Sequence, residues 1–266
     1  MAILTNPFSN KPVVPVIRLE GVIGSMGRLG GSALTDAGLA SVIEKAFRIK
    51  AKAVALQINS PGGSPVQSAL IAARIRRLAD EKGLRVYAFC EDVAASGGYW
   101  LATAADEIHV DANSIRGSIG VISASFGLHE FIARYGIERR VYTAGEDKSM
   151  LDPFRPERAR DVERLRELQS VIHENFIAQV KARRGAKLAD ADLFTGDIFT
   201  GARAVEVGLA DGIGHLVPTM KEKFGKDVRF VLLRPRRGLF ARMGLPGASA
   251  RIGAAEERAL WARYGL

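Results

Sequence analysis

Apolar and polar positions alternate along this chain with two periods. Val13 to Leu19 reads as a strand, followed by a glycine-rich stretch from Gly21 to Gly31. Leu39 to Arg48 carries apolar residues at helical spacing. Lys52 to Asn59 predicts a buried strand, because Ala53 to Leu56 is a continuous apolar run, and it ends in the turn Ser60-Pro61-Gly62-Gly63-Ser64. A helix is predicted from Pro65 to Lys82, with Ser64 as cap and Pro65 at the first helical position. The cycle then repeats. Arg85 to Cys90 predicts a strand, and the small-residue segment Ala94 to Gly98 opens a helix running towards Ala105. Strands are predicted at Glu107 to Val110, within Ile115 to Ser125 and at Glu138 to Tyr142, with a helix at Leu128 to Tyr135.

Strands alternating with helices predict an α/β fold, a mostly parallel sheet flanked by helices. Glu157 to Arg183 predicts a long amphipathic helix with Val162, Leu165, Leu168, Ile172, Phe176 and Val180 on one face. A compact unit, Asp192 to Leu216, precedes a strand at Asp227 to Leu233, and Ala254 to Tyr264 suits a short amphipathic helix. The expected organisation is an N-terminal extension, 1–12, one domain, 13–233, and a basic tail, 234–266.

Composition changes this picture little: 47% apolar and 25% charged residues are ordinary globular proportions. Charge adds more. The net charge is +9, and Arg229, Arg234, Arg236, Arg237 and Arg242 follow one another with no acid between them. Such a tail suits an anionic membrane surface. Nucleic acid is not an expected partner, because no clustered basic–aromatic platform is present. The one cysteine, Cys90, excludes a disulfide within the chain and reads as a small buried hydrophobe. No run approaches the roughly 18 apolar residues that span a bilayer. The first residues, with Pro7, Pro12 and Pro15, lack the pattern of a signal peptide. The expectation is therefore a cytoplasmic protein, with peripheral membrane contact through the basic tail.

Two turns carry candidate chemistry. Ser60 to Ser64 joins a buried strand to a helix start, where glycine N–H groups near the positive end of a helix suit an oxyanion. The same segment also reads as a plain strand-to-helix turn. Ala94-Ala95-Ser96-Gly97-Gly98-Tyr99 lies at the second such junction. Its small neighbours leave Ser96 room for a substrate carbonyl, with the Gly97 N–H beside it. Taken alone, Ser96 equally suits a helix cap.

A serine hydroxyl needs a base to act as a nucleophile. None of His109, His129, His173 and His215 sits in a triad-like motif. Lys148 is the remaining candidate. An amine accepts a proton only when neutral, so burial against Met150, Leu151 and Phe154 would favour that role. Glu146 and Asp147 would then face solvent.

Taken together, Asn59-Ser60-Pro61-Gly62-Gly63, Ala95-Ser96-Gly97-Gly98-Tyr99, Gly117-Ser118-Ile119-Gly120-Val121, and Gly145 with Lys148 and Asp152-Pro153-Phe154 resemble the signal peptide peptidase A/SohB family of serine peptidases, peptidase family S49. The resemblance runs from about Val13 to Val217. The late segments Leu193 to Gly201 and Gly208 to Asp211 also resemble that family's pattern. The resemblance implies a crotonase/ClpP-like α/β fold. It implies Ser96 as nucleophile, Lys148 as base, Gly63 and Gly97 as oxyanion donors, and Ser118 as the residue orienting the lysine. Peptide substrates would include remnant signal peptides and membrane or misfolded protein fragments. Neither metal nor organic cofactor is expected. A single copy of the catalytic unit implies a homo-oligomer. Three rival readings share the sequence: a coenzyme A thioester enzyme of crotonase type, an inactive scaffold of the same fold, and a triad peptidase using His109 or His129.

Overall fold

The computed structural model describes residues 11–24, 33–234, 258 and 260–265. They group into two compact units, one drawn from Met1–Ile119 and Ala178–Leu266 and the other from Gly120–Ile177. Most of the glycine-rich stretch after Gly24 and most of the basic tail lie outside the described residues.

The first unit is built on one sheet. Strands β1 (Val13–Glu20), β2 (Val54–Ser60) and β3 (Val86–Ala95) run parallel at its centre. Beyond them lie β4 (Glu107–Val110), β5 (Ile115–Gly117), β6 (Ile198–Thr200), β7 (Gly212–Ile213) and β8 (Arg229–Leu233). The order is β6-β5-β3-β2-β1-β8, with β4 joining β3 to β7, and among the described residues only the β5–β6 pair is antiparallel. The apolar run in β2 follows from its place: Val54, Ala55, Leu56 and Ile58 are fully buried, with hydrogen-bonded strands on both sides.

Helices cover the sheet. The helix α1 (Asp36–Arg48) is capped by Thr35, whose hydroxyl accepts the Gly38 N–H. In α2 (Pro65–Lys82) Ser64 accepts from Gln67 N–H, and Gly83 ends the helix in the left-handed conformation. Arg74 grips Asp36 through two bonds of 2.6 and 2.7 Å, tying α2 to the start of α1. A separate apolar cluster joins Val14, Val16, Ala55, Tyr87 and Phe89 to Met220. Met220 lies on the helix that follows β7.

Four differences from the sequence expectation have physical causes. The third strand runs five residues past Cys90, to Ala95, because it changes neighbours: Tyr87–Cys90 pair with β4, then Val93–Ala95 pair with β5. The strand at Ile115 stops at Gly117, because Ser118 turns the chain with φ of 49°. Glu138 to Tyr142 forms no strand; it has no ladder partner among the described residues, and its charged side chains bond locally, as Arg140 does to Glu138 at 2.6 Å. Finally, after α3 (Gly97–Ala102), α4 (His129–Arg134), α5 (Ala159–Arg184) and α6 (Gly201–Glu206) comes an unexpected α7 (Leu216–Phe224). Its Leu216, Met220 and Phe224 recur at helical spacing and pack on the sheet cluster.

The second unit holds α4, a 3-10 turn at Glu146–Ser149 and the larger part of α5. Its internal ties are partly polar. Asp161 accepts two bonds from Arg158, at 2.8 and 2.9 Å, and one from Leu151 N–H. Arg139 pairs with Asp152 at 3.2 Å and lies over the Phe154 ring. The predicted apolar stripe of α5 is uneven. Phe176 and Val180 are buried, whereas Leu168 is 41% exposed.

Candidate active site

The first unit brings both turns of interest together. Ser96 stands between β3 and α3 with φ 51° and ψ −123°. A non-glycine residue there is strained, and Ser96 sits half-buried at a strand-to-helix turn. Its N–H donates to the Gly117 carbonyl at 2.8 Å. Its side chain makes no capping bond to α3, which removes the reading of Ser96 as a helix cap.

The turn after β2 lies against it. A Cβ on Gly62 would fall 2.8 Å from the Ser96 Cβ and 2.9 Å from the Gly97 nitrogen. A Cβ on Gly97 would fall 3.4 Å from the Gly63 nitrogen, so the Gly63 and Gly97 N–H groups lie close together. Neither donates to another group among the described residues. Two free N–H groups beside one serine are the donor set an oxyanion requires. Gly63 has φ of 142°, and a Cβ there would overlap the Ile23 carbonyl, so only glycine fits.

What holds this turn was not legible in the sequence. Ile23 N–H donates to Gly62 O and Ser64 N–H donates to Ile23 O, both at 2.8 Å, so Val22 to Gly24 clamp the glycines from the side. Ser68, fully buried on α2, packs against Gly97 and donates to Ser64 O at 2.9 Å. Asn59 accepts from Val93 N–H and donates to Asp92, fixing the β2 end against β3. Only the spacing of Ser68 from Ser64, one helical turn, hinted at its role.

Ser118 directly follows the carbonyl that receives Ser96 N–H. It has φ of 49°, is nearly buried, and its own N–H donates to Asp197 O at 2.6 Å. Lys148 belongs to the second unit, on the 3-10 turn. The apolar cover expected for it is missing. Lys148 is exposed, while Met150, Leu151 and Phe154 are half-buried.

His109 does not serve Ser96. It stands in register with Phe89, stacks on that ring at 5.2 Å and contacts Glu107. Phe89 precedes Ser96 by seven residues of mostly extended chain, roughly 20 Å. Burial, opposed by Glu107, lowers the His109 pKa. His129 lies in the second unit.

The end of the tail lies near the same turn. Residues 258 and 260–262 are helical, and the Tyr264 hydroxyl donates to Pro61 O at 3.4 Å.

An α/β domain with a strained serine at a strand-to-helix turn, facing free glycine N–H groups, has the architecture of a hydrolase that attacks carbonyls. The profile of Peptidase family S49 matches residues 79–225, more than half of the chain, and the chain belongs to that family. It is 31% identical over 76% of its length to the chloroplastic serine protease SPPA of Arabidopsis thaliana and to Protease 4 of Haemophilus influenzae, covering 31% and 32% of those proteins. It is 50% identical over 95% of its length to a protein of Brucella melitensis named Na(+)/H(+) antiporter NhaA, of which it spans 37%. The fold is similar to that of a membrane-bound stomatin-specific protease solved with a substrate peptide. The TM-score is 0.55 at 14% identity, over 92% of this chain and all of that one.

Proposed function

We propose that the protein is a serine endopeptidase working through a Ser96–Lys148 dyad. The observation that carries the reading is Ser96 itself, strained, uncapped and flanked by the unpaired N–H groups of Gly63 and Gly97. Lys148 takes the Ser96 proton as the hydroxyl attacks the peptide carbonyl. The two N–H groups receive the oxyanion, the lysine ammonium protonates the leaving amine, and water then hydrolyses the acyl-enzyme. Ser118 orients the lysine amine. Substrates are peptides, including remnant signal peptides and fragments of membrane or misfolded proteins.

The test compares casein and fluorogenic peptide hydrolysis by wild type, Ser96→Ala and Lys148→Ala over roughly pH 6 to 10. The dyad requires both variants to be folded and inactive, and the wild-type rate to climb with pH. Full activity in Lys148→Ala would remove the lysine as base. Failure of wild type to react with peptides or a fluorophosphonate probe would favour an inactive scaffold. Turnover of acyl-coenzyme A would favour a crotonase-type enzyme.

The proposal extends to assembly and location. A neutral amine needs desolvation, and Lys148 is exposed in the single chain. Apolar side chains of the second unit are exposed too, Phe126 at 82% and Tyr142 at 90%. A homo-oligomer covering these residues accounts for both. Sedimentation should find an oligomer that Phe126→Ser and Tyr142→Ser weaken; a monomeric wild type would end this reading. Peripheral contact of the basic tail with anionic lipid is supported by the charge run and by the antiporter name of the Brucella relative. Flotation with phosphatidylserine vesicles, with and without residues 234–266, tests it.

A further inference from the structure

Arg116 is the largest fully buried side chain among the described residues, and it has no carboxylate partner. Its Nη1 donates to the Ile115 carbonyl at 3.0 Å. Its Nε and Nη2, the two donors of the side-on guanidinium edge, have no hydrogen-bond partner among the described residues. That edge is the one that grips an anion through two parallel hydrogen bonds. A buried cation without a counter-charge costs several kcal/mol, and a neutral acceptor does not cancel it.

Among the described residues no carboxylate is paired with Arg116. The groups that interact electrostatically with Arg116 are Cys90 and Tyr99. Burial raises the pKa of both, so both stay protonated, and the Tyr99 hydroxyl is spent on the Leu209 carbonyl at 2.9 Å. Asp211, which acts electrostatically on Tyr99, is already engaged: it binds Arg184 and Lys187, each at 2.7 Å, and accepts from Ile108 N–H. Glu91 is paired with Arg18 at 2.6 Å and takes a bond from Gln57. Arg184, itself buried, leaves its Nη2 unpaired as well. This interior is therefore short of negative charge. The neighbour of Arg116 on β3 is the small residue Ala94, and on β6 it is Phe199.

We propose that the Nε and Nη2 edge of Arg116 binds a small monovalent anion, such as chloride, inside the first unit. The site does not depend on the peptidase reading. Its placement gives it a consequence for the turn all the same. Arg116 precedes Gly117, whose carbonyl holds Ser96 N–H, so the anion would brace the short β5 that positions Ser96 and Ser118.

The experiment is a thermal melt of the full chain in chloride or bromide against gluconate at constant ionic strength, with wild type and Arg116→Met. A ligand bound only by the folded state should raise the wild-type Tm by on the order of 3 °C at ten times its Kd. The rise should saturate and be absent in Arg116→Met. Equal melting of wild type in halide and gluconate, or the same halide shift in both proteins, overturns the proposal. If Arg116→Met does not fold, crystals of wild type grown in bromide decide. An anomalous peak within hydrogen-bonding reach of Nε and Nη2 supports the site; water or a protein atom there overturns it.

Discussion

Gly62 and Ser96, thirty-four residues apart in sequence, lie tightly against each other: a methyl group on Gly62 would lie 2.8 Å from the Ser96 Cβ. The distance leaves no room for a side chain, and the Gly62 φ of 104° disfavours one independently. Gly62→Ala should therefore push the two turns apart and misplace the N–H pair. Loss of one oxyanion donor costs about 100- to 1,000-fold in kcat elsewhere. We expect a drop of that order with a modest fall in Tm. Near-normal kcat in a folded Gly62→Ala would show that the two turns do not act together.

Ser96 should trade stability for activity. Its backbone strain is worth about 1–3 kcal/mol, and glycine escapes it at an unfolded-state cost of about 0.5–1 kcal/mol. Strain relief wins, so Ser96→Gly should be inactive and more stable than wild type by about 1 kcal/mol. Ser96→Ala keeps the strained backbone and should be inactive without that gain. Denaturant melts of the three proteins check the ordering, and a Ser96→Gly variant less stable than wild type refutes it.

How much of this was readable beforehand depended on whether a signal was local. Strands β1 and β2 and helices α1 and α2 were legible because each carries its own apolar pattern, and α2 also its own start signal in Ser64 and Pro65. The two glycine-flanked turns were legible because glycine at both marks backbone crowding. The clamp by Ile23 was not, because it acts through backbone bonds that any residue could make. The extension of β3 past Cys90 was hidden because Glu91 and Asp92 interrupt the apolar run where the strand changes partner. Nothing in the sequence marked Arg116, because burial of an arginine leaves no local sequence signal.

Ser118 offers a separable test of the lysine's positioning. Ser118→Ala keeps the backbone and the N–H bond to Asp197 but removes the hydroxyl. If that hydroxyl aims the lysine amine, kcat should fall about 10- to 100-fold with KM unchanged, and the rise of rate with pH should shift. A merely structural serine would lower Tm and leave the pH profile in place. An unchanged kcat would remove Ser118 from the mechanism.

Asp211 makes stability fall in acid. Burial works against its ionisation, but bonds from Arg184, Lys187 and Ile108 N–H outweigh it and lower its pKa from 3.8 to about 2. A carboxylate with a depressed folded-state pKa stabilises above its unfolded value, and that contribution disappears as pH falls through the folded value. Here the window runs from about pH 4 down to about 2. The carboxylate is partly open to water, so we expect on the order of 1–2 kcal/mol at pH 7 after screening. Asp211→Asn should melt several degrees below wild type at pH 7, because it also leaves the buried Arg184 without its counter-charge. As pH falls through 4 towards 2, wild-type Asp211 takes up a proton and the two melting temperatures should converge. A gap that stays constant down to pH 2 would mean that the Asp211 charge contributes nothing and that the variant loses only packing.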